Sequence, residues 1–255
     1  MTVPFAPSRI RSSLFASMAI MGACLVGAPP ALHAAQGCSE DAIVVFDGSG
    51  SMSEMGFNLM DEPRIFAARR AVRRAMPQVA PFRNLGLLIY GPGPREACNN
   101  IDLRFAPIPD AAPRMISEID ALAPSGNTPL TASVAQAAEA LDYRKRAGVV
   151  VLITDGKETC GGAPCQLAAS LSAEAHDLTV HVIGFKLRGE HFSWDSENQH
   201  DYREGQTVAR CLADQTGGLY LTTETVDELI TALQTTLGCP IFGRAPDLNE
   251  RLLPG

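Results

Sequence analysis

Residues 42–52 read Ala42-Ile43-Val44-Val45-Phe46-Asp47-Gly48-Ser49-Gly50-Ser51-Met52. The first five are apolar without alternation, as a strand buried on both faces requires. Asp47 ends that run. A carboxylate and two hydroxyls then fall at alternate positions, Asp47, Ser49 and Ser51, in a glycine-containing turn where spacing of two can point all three oxygens to one side.

Short apolar runs alternate with helical patterns on either side of this stretch, the mark of βα units around a mostly parallel sheet. From Glu62 to Val79, Ile65, Ala68, Val72, Ala75 and Met76 recur at helical spacing. Arginines 64, 69, 70, 73 and 74 fill the rest of that helix and read as a solvated face. Leu85–Tyr90 is a second strand, and Ile101–Phe105 a shorter one that returns antiparallel at a sheet edge. Helices are expected at about 111–122 and 128–143, the latter with Pro129 in its first turn. Gly148–Ile153 (GVVVLI) is the most apolar strand and belongs at the centre; it runs into Thr154-Asp155-Gly156. A helix over 165–175, a strand over 179–185, a polar stretch to Tyr202, a helix through Leu212, a strand over 218–222 and a last helix over 226–237 complete the pattern.

The chain has 255 residues, 46% hydrophobic and 19% charged, with a formal net charge of -7. That balance is globular, and its sign argues against nucleic acid as a partner. Residues 1–34 read as a secretory signal peptide: Arg9 and Arg11 precede an apolar run from Leu14 to Ala28, then Pro29-Pro30 and a small-residue stretch around Ala34. The run is shorter than the ~20 residues a spanning helix needs, and no membrane span is expected in the mature chain. Loss of the two arginines takes the charge from -7 to -9. Six cysteines follow the leader, Cys38, Cys98, Cys160, Cys165, Cys211 and Cys239, an even number that favours disulfides in an exported chain, periplasmic or extracellular. Six cysteines allow fifteen pairings, among which spacing does not choose. A domain over 35–239 and a loosely attached tail over 240–255 complete the organisation.

Two further segments carry oxygen donors. Gly126-Asn127-Thr128-Pro129-Leu130 sets a hydroxyl at a helix start, and Asp155 follows the central strand. In open α/β sheets, ligands bind beyond the carboxyl ends of strands where strand order reverses. Two carboxylates with three hydroxyls form a hard donor set, suited to Mg²⁺ first and to Mn²⁺ or Ca²⁺, and not to zinc or copper.

In that order, DGSGSM (47–52), GNTPL (126–130) and TDG (154–156) closely resemble the von Willebrand factor type A domain and its metal-ion-dependent adhesion site. The resemblance spans about residues 40–238. It implies a Rossmann-like α/β fold: a doubly wound, mostly parallel sheet flanked by helices, with one antiparallel edge strand. It also implies a divalent cation held by Ser49 and Ser51, by Thr128 when a ligand is bound, and by Asp47 and Asp155 largely through water. An open coordination position would then take an Asp or Glu from a protein partner. In this architecture Cys38 and Cys239 both fall opposite the metal, which implies a Cys38–Cys239 bridge, with Cys160–Cys165 as a local bridge and Cys98–Cys211 as the remaining pair.

Other chemistries fit less well. Ser53 stands where G-x-G-x-x-G needs its third glycine, and neither Ser49 nor Ser51 lies in a G-x-S-x-G frame. His176 and His181 read as structural, and His191, His200 and Asp201 fall in a polar insertion around Trp194, read as an exposed loop over 186–202. The expectation is a binding module and not an enzyme. A metal-assisted hydrolase, or a scaffold whose metal is only structural, stands as the alternative.

Overall fold

A computed structural model describes residues 38, 40–55, 62–94, 96–185 and 209–239. The expected leader, the insertion at 186–202 and the tail at 240–255 lie outside these residues.

The described residues form a six-stranded sheet with helices on both faces. In chain order the elements are β1 (Asp41–Asp47), a 3-10 turn (Gly50–Ser53), α1 (Arg64–Val79), β2 (Leu85–Tyr90), β3 (Ile101–Ile108), α2 (Ala112–Ala121), α3 (Leu130–Ala140), β4 (Ala147–Thr154), α4 (Pro164–Glu174), β5 (Asp177–Phe185), β6 (Tyr220–Thr223) and α5 (Val226–Leu237). Residues 209–215 are also helical. The strand order is β3-β2-β1-β4-β5-β6. All pairings are parallel except β2 with β3. The doubly wound sheet and its antiparallel edge strand are as expected.

Alternate residues of each central strand serve opposite layers. Ala42, Val44 and Phe46 of β1 pack with residues of α1, α2 and α5, whereas Ile43 and Val45 pack with α3, α4 and the helix at 209–215. This two-sided burial is the physical reason the run at 42–46 shows no polar alternation. Each large apolar side chain so buried contributes roughly 1.5–3 kcal/mol, so these strands anchor the fold. β3, with one neighbouring strand, buries only Phe105 fully. Among the described residues no helix is long and apolar enough to cross a membrane.

Element boundaries shift modestly from expectation. β3 continues to Ile108, α3 begins after Pro129 and stops at Ala140, and β5 begins at Asp177. α5 covers the expected residues and opens with a capping box between Thr225 and Glu228.

The Cys38–Cys239 bridge is present. The other two pairings are Cys98–Cys160 and Cys165–Cys211, which corrects the expected Cys160–Cys165 and Cys98–Cys211. Proximity in sequence misled here. Cys160 lies within the loop leaving β4 and is bridged to the segment that follows β2, whereas Cys165 already sits in the first turn of α4 and is bridged to the helix at 209–215.

Candidate metal-binding site

β1 and β4 are parallel neighbours from which the chain winds in opposite directions, to β2 and β3 on one side and to β5 and β6 on the other. Their carboxyl ends therefore open a crevice at the switch point. Asp47 is the last residue of β1, Asp155 directly follows β4, and both are buried.

Backbone contacts close the loops around this crevice. Gly50 N–H donates to Gly126 O at 3.0 Å, and Ser125 N–H donates to Gly48 O at 2.9 Å, joining the loop after β1 to the loop before α3. Two glycines make that approach sterically feasible. Gly91 has φ +108°, and a Cβ there would stand 2.4 Å from Ser49 N; Gly126 has φ +74°, and a Cβ there would stand 2.2 Å from Gly91 O. Thr128 N–H donates to Thr159 Oγ1 at 2.8 Å, and Thr159 N–H donates back to Thr128 O at 3.1 Å. Glu158 accepts from Thr131 N–H and Cys160 N–H, both at 2.8 Å. The Cys98–Cys160 bridge ties the segment after β2 to the same assembly.

The hydroxyls and carboxylates meet inside this frame. Ser49 Oγ and Ser51 Oγ lie 2.9 Å apart, and Ser51 Oγ donates to Asp155 Oδ1 at 2.6 Å. Asp47 is saturated by the chain itself: Oδ1 accepts from Ser49 N–H at 2.9 Å, while Oδ2 accepts from Thr154 Oγ1 at 2.8 Å and from Asp155 N–H at 3.4 Å. Tyr90, buried, donates its phenol hydrogen to Thr154 Oγ1 at 3.2 Å. Burial, and then the charge of Asp47, raise the Asp155 carboxyl well above the usual range, against the pull of Ser51 and Arg64. Burial does the same to the Tyr90 phenol. The structure thus gathers Asp47, Ser49, Ser51 and Asp155, and places buried Thr128 on the loop bonded to them.

This donor set fits a divalent cation. Two buried carboxylates, one of them held against its own ionisation, form an electron-rich cluster that positive charge would relieve. The oxygens are hard, as Mg²⁺ or Ca²⁺ prefer. Among the described residues no group of three or more His, Cys, Asp or Glu that could hold a metal ion is gathered, so the hydroxyls are needed to complete any donor set here.

One residue at the site was not expected there. Arg64, read from sequence as part of a solvated face, is 8% exposed, and its Nη1 lies 3.3 Å from Asp155 Oδ2, 3.0 Å from Ser51 O and 3.4 Å from Glu54 Oε2. Arg69 also turns inward, to Ile119 O and Leu122 O. The sequence reading, which began this helix at Glu62, did not mark it; in the structure Arg64 opens α1, where a cation opposes the helix dipole and is favoured by an anion nearby. His181, read as structural, accepts from Leu219 N–H at Nδ1 and sits within β5.

Residues 42–158 match the family model described as von Willebrand factor type A domain, in keeping with the fold and with these motifs. Among curated proteins, the chain is 26% identical over 210 residues to uncharacterized protein YwmD of Bacillus subtilis (strain 168), covering 79% of this chain and 86% of that protein. Among solved structures it resembles proximal thread matrix protein 1 from the mussel byssus, solved with a zinc-occupied MIDAS motif, at 20% identity and TM-score 0.51, with 79% of this chain covered. It also resembles the pilus adhesin SpaC from Lactobacillus rhamnosus GG, at 15% identity and TM-score 0.57, with 81% covered. The chain spans about half the length of the byssus protein (48%) and under a third of SpaC (31%). At these identities the two structures establish the shared fold.

Proposed function

We propose that this protein is an exported binding module that holds a divalent cation, Mg²⁺ foremost, through Ser49, Ser51 and Thr128, with Asp47 and Asp155 behind them, and captures a protein partner by an Asp or Glu side chain. The observation that carries this reading is the cluster at the β1–β4 switch point, where two buried carboxylates and the Ser49 and Ser51 hydroxyls lie within hydrogen-bonding distance of one another. Such a cation, when bound, supplies an electrophilic centre for an incoming carboxylate.

The chain's own residues set the character of the site. Asp47 is turned inward by three donors, so its charge acts on the site from behind. Asp155 is tied to Ser51 and Arg64. With both carboxylates committed, neither is free to take a proton from a water, which favours binding over hydrolysis. Three disulfides and the leader-like residues 1–34 favour export, and the likeness to an adhesin favours a protein ligand.

The test is titration of the purified protein with Mg²⁺ by calorimetry, then capture of proteins from exported extract in Mg²⁺ and in EDTA. Ser49→Ala is the control, because Asp47→Ala would also remove three buried hydrogen bonds and lose stability whatever the function. Mg²⁺ binding and EDTA-sensitive capture by wild type, both lost in Ser49→Ala, are expected. Metal binding with no metal-dependent partner would move the reading to a structural ion.

A further inference from the structure

Arg64 lies in the carboxylate cluster itself. Its guanidinium contacts Asp155 at 3.3 Å, and the two side chains are 9% and 0% exposed. Its second acidic partner, Glu54 at 3.4 Å, is 69% exposed and therefore strongly screened. Among the described residues its buried Nε has no hydrogen-bond partner. Its Nη1 also donates to Ser51 O at 3.0 Å, so the guanidinium sits against both a backbone oxygen and a carboxylate of the site.

We propose that Arg64 is a built-in cation of the site, which stands against the Asp155 carboxyl in the metal-free protein and thereby lowers the affinity for divalent ions. The inference rests on the metal-binding reading above. The physical argument is one of competition. The positive end of Arg64 and a divalent cation would draw on the same buried carboxyl, Asp155, and like charges a few ångströms apart in a poorly screened cluster repel by enough to change an equilibrium tenfold or more. The same placement leaves the metal-free carboxylates less exposed to each other's repulsion. Arg64 thus trades metal affinity for the stability of the metal-free state, and makes occupancy responsive to cation concentration.

The experiment is Mg²⁺ titration by calorimetry, with melting curves in EDTA and in Mg²⁺, on wild type, Arg64→Gln and Arg64→Lys. Arg64→Gln should bind Mg²⁺ about tenfold or more tightly, melt lower in EDTA, and gain more from Mg²⁺ than wild type. Arg64→Lys, which keeps the charge, should stay within about threefold of wild type. A merely structural arginine predicts the opposite sign, since loosening α1 against the site would weaken metal binding. Wild type that binds Mg²⁺ with Arg64→Gln equal or weaker overturns the role of Arg64 alone. No Mg²⁺ binding by wild type or variant overturns the metal reading and this inference together. Should Gln disturb the fold, Arg64→Met keeps the aliphatic stem and carries the same expectation.

Discussion

Tyr90 holds Thr154, donating its phenol hydrogen to Thr154 Oγ1 at 3.2 Å, and Thr154 in turn donates to Asp47 Oδ2 at 2.8 Å. The relay crosses three neighbouring strands, β2, β4 and β1, inside the sheet. It fixes the Asp47 carboxylate by a route independent of the DGSGS turn. Thr154→Val keeps the shape but leaves the Tyr90 hydroxyl and Asp47 Oδ2 short of a partner, so a loss of about 2–3 kcal/mol is expected. Tyr90→Phe removes a donor without orphaning a carboxylate and should cost about 1 kcal/mol. Urea denaturation of both variants checks the order; equal losses would show that the relay does not orient Asp47.

Which parts of this site could be read in advance follows from how far each signal reaches along the chain. Asp47, Ser49 and Ser51 lie within five residues, and Asp155 directly follows an unmistakably buried strand, so local pattern placed them at the sheet edge. The order of the elements and the unalternating strands gave the doubly wound sheet. Tyr90 and Thr154 were invisible because a hydroxyl at the end of an apolar strand acquires its role only from register, here Asp47 beside Tyr90 and Phe46 beside Ile153. The pairing of Cys98 with Cys160 depends on where two loops cross in space, which spacing does not encode. Arg64 was hidden by its neighbours: in a run of five arginines, only its position at the first residue of α1, seen in the structure, distinguishes it.

The two disulfides that spacing failed to pair should differ in what they do. Cys98–Cys160 spans 62 residues and joins the segment after β2 to the loop after β4, whereas Cys165–Cys211 spans 46 and ties the first turn of α4 to the helix at 209–215. Chain entropy gives each about 4 kcal/mol at most. Replacing either pair by alanines should therefore lower stability by comparable amounts. Only the Cys98/Cys160 replacement should also weaken Mg²⁺ binding, because Thr128 is hydrogen-bonded to Thr159 beside that bridge. Calorimetric titration of both double variants separates the roles; parallel loss of affinity in both would deny the site any dependence on its own staple.

His181 gives the protein an acid limit. Burial, and then the charge of Arg83, push its imidazole from 6.5 down to about 4. The folded state therefore favours the neutral ring, while the unfolded chain takes up a proton near pH 6.5. The contribution is fully present above pH 6.5 and is lost as the pH falls toward 4, reaching about 3 kcal/mol over that window. Urea unfolding in EDTA at pH 7.5 and 4.5 should show wild type losing more stability than His181→Gln, which can still accept from Leu219 N–H. Parallel losses would place the acid sensitivity elsewhere.

A cation that binds only the folded crevice must also raise the stability of the whole domain by mass action. At a concentration a hundred times its dissociation constant the gain is about 2.7 kcal/mol, and for a domain of this size each kcal/mol moves the midpoint by roughly 2–4 °C. Mg²⁺ should thus raise the melting temperature by about 5–10 °C over EDTA. Ser49→Ala should melt near wild type in EDTA, since among the described residues Ser49 Oγ makes one hydrogen bond, to Ser51 Oγ, and should forfeit the metal-dependent rise. The comparison is self-controlling, because a variant that merely loosened the fold would start lower and still rise. A wild-type midpoint that does not move between EDTA and saturating Mg²⁺ would mean that the oxygens gathered at the β1–β4 edge serve the fold and hold no cation.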